Sequence, residues 1–398
     1  MSTNIEERMI LKVFLKKGKD KLVRMGNPWV FSGAVARTEG EYGRKRLCGV
    51  YDHRGESVGT GYFNSKSAIR VRMLTRKGDF TVHDLGSRIK EAVLRRAGLL
   101  SDHTDSCRLV NSEGDFLPGL VVDKYGEGLC IQIGTAGMEC WRSDIVDTLV
   151  RELSPAFIYE RSDTDSRRRE GLEESGGVLK GQLPSPLIIN EEGVKFLVDL
   201  ASGQKTGFFF DQRMNRSLLR FYSSGKCACD CFSYSGGFAV NALKGGARKV
   251  QAVDVSKSAG EWVATNAGLN GFDRSVEFVC ADVFRYLRES QESFNLLVLD
   301  PPKFARHPGE VDRAARGYKD INMVGLRRLE PGGVLFTFSC SSAVEPYLFR
   351  QILFSAAADA GRSVQLLHVL SAGPDHPVNI AHREGEYLKG LVLRVVGD

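Results

Sequence analysis

The spacing of hydrophobic residues changes twice along this chain, at about residue 80 and again near residue 190. From residue 8 to residue 80, short apolar pieces such as "KVFLKK", "LCGVYD" and "AIRVRML" alternate with turns that contain glycine. Strands this short and this closely spaced are typical of a small β barrel or sandwich. We therefore predict a first domain, residues 1–80, built from β strands.

The next segment, residues 81–189, mixes helical and strand periods. In "HDLGSRIKEAVLRRAG", Leu85, Ile89, Val93 and Ala97 fall on one helical face. Strand-like runs follow at "CRLVN", "GLVVDKY" and "LCIQIG", and a second helix is predicted around "CWRSDIVDTLVREL". This pattern predicts a small α+β domain. Its polar run, residues 161–170, fits a contact with phosphate and an exposed loop equally well.

From about residue 190 the chain reads as a hairpin followed by alternating strands and helices. The hairpin is predicted in "PLIINEEGVKFLVDL", with its turn at residues 190–193. Beyond Lys226, short apolar strands such as "KCACDCF", "KVQAVDVS", "FNLLVLD" and "GVLFTFS" are separated by helical segments. This alternation predicts an α/β fold with a doubly wound, mostly parallel sheet over residues 190–398.

Composition limits the class of protein. Hydrophobic residues make up 42% of the 398 positions, and no apolar run approaches the ~18 residues of a membrane span. The first residues, "MSTNIEERMILKVFLKKG", lack the apolar core of a signal peptide, so we expect a cytoplasmic protein with no membrane partner. Nine cysteines form no C-x-x-C pair, which argues against a disulfide framework or a metal site.

Charge is distributed unevenly along the chain. The whole chain carries +6, but residues 8–80 hold 17 Lys+Arg against 6 Asp+Glu, a balance of +11 that leaves −5 for the rest. This asymmetry fits a module that binds a polyanion, and it fits a solvated basic face equally well. The candidate RNA contacts are the clustered cations Arg44, Lys45, Arg46, Arg70 and Arg72.

Acidic residues stand at the ends of four predicted strands of the α/β region. They are Asp230, Asp254, Asp282 and Asp300. Ligands of open α/β sheets bind at the carboxyl ends of the strands. Asp254 lies 18 residues beyond Gly236, close to the ~20 residues that separate a glycine loop from a ribose-binding acid. Each acid alone is also a common helix N-cap, but four in register favour a cofactor site.

The glycine loop "SYSGGF" narrows the choice of cofactor. It matches neither G-x-G-x-x-G nor a phosphate-binding P-loop, so it need not cradle a pyrophosphate. S-adenosylmethionine (SAM) has an adenosine, a cationic sulfonium and no phosphate, and it suits these acids. The loop's candidate cofactor contacts are Ser233, Tyr234, Gly236 and Gly237, where the glycines allow close approach of the backbone.

The segment "DPPKF", residues 300–304, is the sharper signal. Two prolines after a strand cannot extend it, and they fix the backbone beside the reacting groups. Asp300 is expected to bind the edge of a heterocycle and Pro301 to lie beside the cofactor, with Pro302, Lys303 and Phe304 on the substrate side. A simple strand-terminating turn is the alternative. Similar loops serve amine methylation of bases, so this motif indicates base methylation without choosing the atom.

Cys340 in "FSCSS" favours carbon 5 of a pyrimidine as the atom that receives the methyl group. Carbon 5 of a pyrimidine is a poor nucleophile until a thiolate adds to carbon 6, and cysteine is the side chain best suited to this covalent catalysis. Exocyclic amines and ring nitrogen 7 need no such adduct. Taken alone, a cysteine at a strand end is also consistent with an inert side chain; beside the "DPPKF" loop it is predicted to be a nucleophile.

Long motifs across the chain resemble the ribosomal RNA large-subunit methyltransferase I family, which makes 5-methylcytosine in 23S ribosomal RNA. These motifs include "GNPWVFSGAV", "GQKTGFFFDQR", "CFSYSGGFAVNALKGGA", "LDPPKFAR", "GYKDIN", "FSCSS" and "GPDHP". The resemblance implies a PUA RNA-binding domain, a middle α+β domain, and a class I (Rossmann-like) methyltransferase domain. It also implies that SAM is the cofactor and 23S ribosomal RNA the partner. Because the target base must be accessible, we predict that this RNA is naked or in a partly assembled subunit when it is bound. Whether the protein forms a homodimer stays open.

The resemblance also implies roles for individual residues. Cys340 matches the family's nucleophile, Asp300 matches the residue expected to bind the pyrimidine edge, and Gly236, Asp254 and Asp282 match cofactor contacts. More loosely, Gln212 resembles a cofactor-side glutamine of the related uridine methyltransferases. The chain departs from the expected "Y-T-G-G" at Ser235, which keeps a hydroxyl.

Two questions stay open at this point. The acceptor of the carbon-5 proton is not identified, since His376 and Lys319 lie in family-like motifs but suit structural roles equally well. The reaction also has alternatives, namely methylation of guanine nitrogen 7 or of uracil carbon 5. A non-catalytic protein that only binds RNA is a third class, against which Cys340 and the "DPPKF" loop argue.

Overall fold

The computed structural model describes residues 11–43, 45–203, 206–305 and 307–396. Its first sheet has six strands and occupies the segment predicted to be a small β domain. These strands are β1 Leu11–Leu15, β2 Trp29–Phe31, β3 Val35–Glu39, β4 Leu47–Tyr51, β5 Ser57–Phe63 and β6 Ile69–Thr75. The strand order is β2-β6-β5-β4-β1-β3, and the short helix α1 spans Lys21–Arg24. Alternate side chains such as Val13, Val50 and Val71 fill the core of this domain.

The second sheet has five strands in the order β11-β10-β9-β8-β7. They are β7 Cys107–Asn111, β8 Leu120–Tyr125, β9 Gly128–Ile133, β10 Phe157–Ser162 and β11 Ser175–Gly181. The helices are α2 Val82–Arg96, α3 Ala136–Glu139, α4 Arg142–Leu153 and α5 Asp165–Arg169. The predicted helical face is present in α2, where Leu85 and Ile89 are fully buried. Ala97 instead begins a short turn beyond the helix.

The predicted hairpin consists of β12 Leu187–Glu191 and β13 Val194–Val198. Its turn residues Glu192 and Gly193 have φ angles of 51° and 74°. Two successive positive φ angles match the twist of a tight two-residue hairpin, and glycine adopts such an angle without strain.

The third sheet has seven strands. They are β14 Cys227–Cys231, β15 Lys249–Asp254, β16 Val276–Cys280, β17 Phe294–Leu299, β18 Leu329–Ser339, β19 Ser363–Ser371 and β20 Lys389–Val396. The helices are α6 Arg213–Phe221, α7 Gly237–Lys244, α8 Lys257–Leu269, α9 Val283–Glu289, α10 Val311–Arg327 and α11 Pro346–Ala360. Apolar residues of the strands and of these helices form the core on the two faces of the sheet.

The order of this sheet, β16-β15-β14-β17-β18-β20-β19, fixes where a ligand binds. Strands β14 to β18 are parallel, and β20 runs antiparallel to both β18 and β19. From β14 the chain first moves outward to β15 and β16, and then crosses to β17 on the other side. The topological switch point therefore lies between β14 and β17, where open α/β sheets bind their ligands.

The chain forms two compact units. The first comprises residues 1–187, 198–208 and 375–385, and the second comprises residues 188–197, 209–374 and 386–398. The first unit contains the first two sheets together with a segment that follows β19. The three predicted domains each contain one of the large sheets, and the boundaries at residues 80/81 and 189/190 stay predictions. Among the described residues, no helix is long and apolar enough to cross a membrane.

Candidate active site

The glycine loop between β14 and α7 has an unusual backbone. Phe232, Tyr234 and Gly236 all have positive φ angles, of 62°, 48° and 75°. The N–H of Gly236 donates to the carbonyl oxygen of Ser233 at 2.7 Å, which closes a tight turn. The hydroxyl of Ser233 is buried and has no hydrogen-bond partner within the protein. Strained backbone and an unsatisfied buried hydroxyl are typical of a loop shaped to receive a ligand.

Asp230 lies beneath this loop. It is 2% exposed, and its Oδ2 accepts the N–H of Ala239 in the first turn of α7 at 2.9 Å. Burial raises the pKa of Asp230 to about 8, and the nearby carboxylates of Asp300 and Asp254 contribute to the rise. The sequence predicted a cofactor contact at this position. The structure shows a residue that fastens the loop to the helix that follows it.

Asp254 is the last residue of β15, and Asp282 follows the neighbouring parallel strand β16. The carboxylate of Asp254 accepts the N–H of Tyr234 and the N–H of Ser256, both at 3.0 Å. Asp282 caps α9 by accepting the N–H of Arg285 at 2.9 Å, and its side chain lies at the surface. Carboxylate oxygens have further lone pairs, so both acids keep capacity to accept hydrogen bonds from ribose and adenine.

Asp300 follows β17, on the other side of the switch point. Its Oδ2 accepts the side-chain N–H of Gln212 at 3.0 Å, and the Oε1 of Gln212 accepts from Asn215 at 2.6 Å. Gln212 is buried, so this chain of amides holds the Asp300 carboxylate in a fixed orientation. The sequence predicted Gln212 as a cofactor contact. The structure gives it a partner 88 residues further along the chain, which no local pattern could indicate.

Cys340 is the first residue after β18, the strand next to β17. The thiol is half-buried, and its Sγ lies 3.9 Å from the carbonyl oxygen of Pro301. Asp300 and Cys340 therefore end two adjacent parallel strands at the same edge of the sheet. The structure brings the predicted nucleophile and the "DPPKF" loop together.

Hydrogen bonds tie these two loops to each other. The hydroxyl of Ser341 is buried, and it accepts the N–H of Ala305 at 3.1 Å. The same hydroxyl lies 3.0 Å from the hydroxyl of Tyr318 on α10, and the ring of Tyr318 packs against Phe304 with centroids 4.6 Å apart. Ser341, the residue after Cys340, is thus tied both to the segment that follows "DPPKF" and to α10.

A cleft lies beside the "DPPKF" loop. Lys303 and Pro302 are exposed, and Phe304 is half-buried. The cleft is lined by Phe284, Lys303, Phe304, Arg313, Ala314 and Gly317. Arg313 is an exposed cation that the sequence motifs did not single out. Two cations beside aromatic rings suit a nucleotide, whose phosphate is anionic and whose base is flat.

Lys389, the first residue of β20, is a second residue that the sequence analysis missed. It is 6% exposed, and its Nζ donates to the carbonyl oxygens of Ser341 and Val344, both at 2.7 Å. Ser341 directly follows Cys340, so a buried amine supports the loop of the predicted nucleophile. The two candidate acceptors of the carbon-5 proton make other contacts. Lys319 pairs with Asp359 at 2.7 Å. His376 belongs to the first compact unit, where it contacts Asp375 at 2.9 Å.

The predicted RNA contacts of the first unit need one correction. Arg72 is 8% exposed and lies 3.1 Å from a carboxylate oxygen of Glu113 and 3.1 Å from one of Glu170. A buried guanidinium between two carboxylates cannot reach a phosphate, so Arg72 is a structural residue. In the polar run 161–170, Arg167 is likewise buried and bonded to Glu139.

Other cations that were predicted to contact RNA make contacts within the protein. Lys45 pairs with Asp144 and lies 4.4 Å from the ring of Trp141. Arg46 stacks over Tyr42, and Arg70 donates to the backbone of Ser65. These side chains stay candidate RNA contacts, and Arg44 lies outside the described residues.

Exposed cations concentrate elsewhere in the first unit, on the turn that follows β1 and on the first residue of α1. Lys16, Lys17, Lys19 and Lys21 all point to solvent there. We call these four residues the lysine turn. The charge count alone could not distinguish this turn from the clusters around residues 45 and 70.

Comparison with known proteins agrees with this architecture. Residues 13–76 match the PUA-like domain family, and residues 171–394 match the family of S-adenosylmethionine-dependent methyltransferases. A putative SAM-dependent methyltransferase from Streptococcus mutans shares the fold, with a TM-score of 0.83 at 22% identity over 97% of this chain and 100% of that one. A second solved structure, a putative methyltransferase complexed with SAH, has a TM-score of 0.84 at 22% identity over the same shares.

Full-length relatives are more similar in sequence. The ribosomal RNA large subunit methyltransferase I of Aeromonas salmonicida is 44% identical over 401 residues, covering 97% of this chain and 100% of that protein. The protein of the same description from Klebsiella pneumoniae is 42% identical over 393 residues, covering 97% and 98%.

The fold and the site define a SAM-dependent methyltransferase of class I that carries an N-terminal PUA-like domain. SAM is the cofactor that the sequence predicted. The buried hydroxyl of Ser233, the tight turn at Gly236 and the acids at the strand ends are compatible with it. The chain belongs to the ribosomal RNA large subunit methyltransferase I family.

Proposed function

We propose that this protein methylates carbon 5 of a cytosine in 23S ribosomal RNA through a covalent adduct with Cys340. The observation that carries the proposal is the pairing of Cys340 with the "DPPKF" loop at the ends of β18 and β17, with Sγ 3.9 Å from the Pro301 carbonyl oxygen. The descriptions of its full-length relatives support ribosomal RNA as the substrate.

The chemistry begins with the thiolate of Cys340. Its sulfur forms a bond to carbon 6 of the cytosine, and the electrons of the 5,6 double bond make carbon 5 nucleophilic. SAM, when bound, supplies the methyl group that carbon 5 takes. Loss of the carbon-5 proton then restores the double bond, and the bond between carbon 6 and sulfur breaks to release the thiolate.

Other residues of the site position the base. In this proposal Asp300, which accepts a hydrogen bond from Gln212, binds the N3 and amino edge of the cytosine and stabilises the adduct. Pro301 and Pro302 keep that loop rigid beside Cys340. The site lies at the edge of a sheet, so the target nucleotide has to leave its stack to reach it, as in other enzymes that modify bases.

The test uses 23S ribosomal RNA that lacks its native modifications, incubated with methyl-labelled SAM and then digested to nucleosides. The wild-type protein is expected to give labelled 5-methylcytosine, and Cys340→Ala is expected to give none. Cys280→Ala is the matched control, because Cys280 is exposed and ends β16, which is three strands away from β17 and its "DPPKF" loop in the strand order. It should retain wild-type activity.

The label also discriminates among the alternatives. Label in 7-methylguanosine or 5-methyluridine would identify another target atom, and full activity in Cys340→Ala would show that the thiol only packs. RNA binding without transfer of label would indicate a non-catalytic protein.

The state of the substrate is tested with the same assay. We expect naked or partly assembled ribosomal RNA to be methylated faster than RNA in mature ribosomes, because a flipped base must be accessible. Equal rates on intact ribosomes would contradict this expectation. Size measurement of the protein with and without RNA would show whether a homodimer forms.

A further inference from the structure

Lys389 occupies an unusual position for a lysine. In the register of the sheet it stands opposite Ser339 on β18, the residue just before Cys340. Lysine is seldom this fully buried unless it is paired, because removing an ammonium from water is costly. Here the carbonyl oxygens of Ser341 and Val344 accept hydrogen bonds from two of the three N–H groups of the ammonium.

The charged groups that face Lys389 come from three segments. Cys340 lies at the end of β18, Lys303 follows β17, and Glu386 precedes β20. Burial lowers the pKa of Lys389 to about 8, and Lys303 also lowers it, whereas Cys340 and Glu386 raise it. A pKa of about 8 leaves this amine mostly protonated at neutral pH, and its hydrogen bond to Ser341 and its register opposite Ser339 hold it next to both neighbours of Cys340 in the chain.

We infer that Lys389 is a positioning residue that favours the thiolate form of Cys340 and holds the loop on which that thiolate stands. This inference rests on the proposed function, in which Cys340 is the nucleophile. A cation beside a thiol lowers the free energy of the thiolate, which is the reacting form of cysteine. Lys389 keeps its proton throughout: it stabilises the thiolate before it bonds to carbon 6 and again when that bond breaks.

The hydrogen bonds of Lys389 serve a second purpose. They fix the backbone of Ser341 and Val344 on the side of the loop that faces β20, while the hydroxyl of Ser341 is fixed from the side of α10. The charge and the hydrogen bonds make different predictions for substitutions. Lys389→Gln can keep part of the hydrogen bonding without the charge, whereas Lys389→Arg keeps the charge.

The test measures alkylation of Cys340 by iodoacetamide as a function of pH, with no RNA or SAM present. Peptide mapping by mass spectrometry separates Cys340 from the other cysteines, and the exposed Cys280 serves as an internal reference. In the wild-type protein, the midpoint of the Cys340 profile is expected below the ~8.5 of an ordinary thiol. A midpoint at or above that value would overturn the inference without any variant.

Variants then test the residue itself. At pH 7, Lys389→Gln and Lys389→Met are expected to slow alkylation of Cys340 about tenfold for each unit by which the thiol pKa rises. Lys389→Arg should restore much of the rate. Lys249→Gln removes a lysine that is paired with Glu277 at 2.7 Å on the far strands β15 and β16, and it should leave the rate unchanged. Circular dichroism and Tm identify any variant that fails to fold.

Two results would contradict the inference: a folded Lys389→Gln with an unchanged alkylation profile, or a Lys389→Arg as slow as Lys389→Gln. The first would leave Lys389 with a structural role only. Because this assay contains no RNA, its outcome is independent of the labelled-methyl assay. Loss of 5-methylcytosine formation and loss of thiol activation are therefore distinguishable.

Discussion

Gly236 shows how a single position shapes the glycine loop that is proposed to hold the cofactor. Its φ of 75° suits glycine, and a Cβ there would lie 3.2 Å from Cγ2 of Val263 on α8. A non-glycine residue in the left-handed region costs about 1–2 kcal/mol. We expect Gly236→Ala to bind SAM more weakly, about tenfold or more by calorimetry, because the turn that is proposed to approach the cofactor must shift.

The control for this prediction is Gly246→Ala. Gly246 also has a positive φ, 87°, but a Cβ there would meet nothing closer than 3.6 Å, and it follows α7. It should lose similar stability while keeping wild-type affinity for SAM. Equal affinity in both variants would show that Gly236 is not part of the cofactor site.

The pKa of Asp230 predicts a pH dependence of stability. Its folded-state pKa of about 8 lies above the ordinary value of 3.8, so the folded protein binds this proton more tightly than the unfolded chain does. The stability that this group contributes is fully present below pH 3.8 and is lost as the pH rises through 8. Asp230→Asn resembles the protonated acid and can still accept the N–H of Ala239.

We therefore expect the free energy of unfolding of Asp230→Asn, relative to the wild type, to increase between pH 5 and pH 8. The increase is at most about 1.4 kcal/mol per pH unit. Urea unfolding of both proteins without SAM at several pH values measures it. A constant difference over this range would mean that Asp230 is ionised throughout in the folded state.

Among single residues, the sequence could predict the positions of those that belong to a local motif. Asp300 and Cys340 each stand where an apolar strand gives way to polar residues, so their positions at one edge of the sheet could be anticipated. The role of Gln212 depends on Asp300, 88 positions away, and Lys389 lies 48 positions from Ser341. Such contacts depend on strand order, which no single segment contains.

At the scale of secondary-structure elements, the N-terminal cap of α2 leads to a prediction about stability. The backbone N–H of Thr81 donates to the carboxylate of Asp84 at 2.8 Å, and the hydroxyl of Thr81 accepts the N–H of Asp84 at 3.3 Å. This reciprocal capping box satisfies two backbone donors at the helix start. Thr81→Ala is expected to lower the free energy of unfolding by about 1 kcal/mol.

Methyl transfer by Thr81→Ala should be unchanged, because α2 belongs to the first unit. The hydrogen bond from Thr81 holds the pKa of Asp84 below its ordinary value. The stability that ionised Asp84 contributes is therefore present above this ordinary pKa and is lost as the pH falls through the folded-state pKa. Thr81→Ser, which keeps the hydroxyl, is the matched control in the urea titration. A loss of stability equal to that of Thr81→Ala would rule out the cap as the cause.

The helices and strands differ in how clearly the pattern of apolar and polar residues predicted them. The parallel strands β14 to β18 are short apolar runs bounded by polar residues, and the structure has strands at all five. The polar run 161–170 gave no periodic signal, because α5 is a single turn that buries only Arg167. The assignment of residues 375–385 to the first unit also had no local signal, since these residues connect two strands of the third sheet.

At the scale of the whole molecule, the uneven charge predicts where RNA binding originates. The excess of +11 in residues 8–80 includes Arg72, which is neutralised by buried carboxylates, and the lysine turn, which is not buried. Cations that meet phosphate release counterions, so the affinity for RNA should fall steeply with salt. Buried ion pairs contribute nothing to that dependence, because they release no counterions on binding.

The lysine turn therefore predicts a measurable change in the salt dependence. In the double variant Lys17→Gln, Lys19→Gln, the slope of log K for a 23S ribosomal RNA fragment against log salt should shrink by about 0.7–0.9 for each lost phosphate contact. The control is Lys195→Gln, Lys244→Gln, which removes the same charge from exposed positions of the second unit. If both variants reduce the slope equally, only the net charge of the molecule determines binding. A change confined to the first variant places phosphate contacts on the PUA-like domain, where sequence alone could not choose among its cationic clusters.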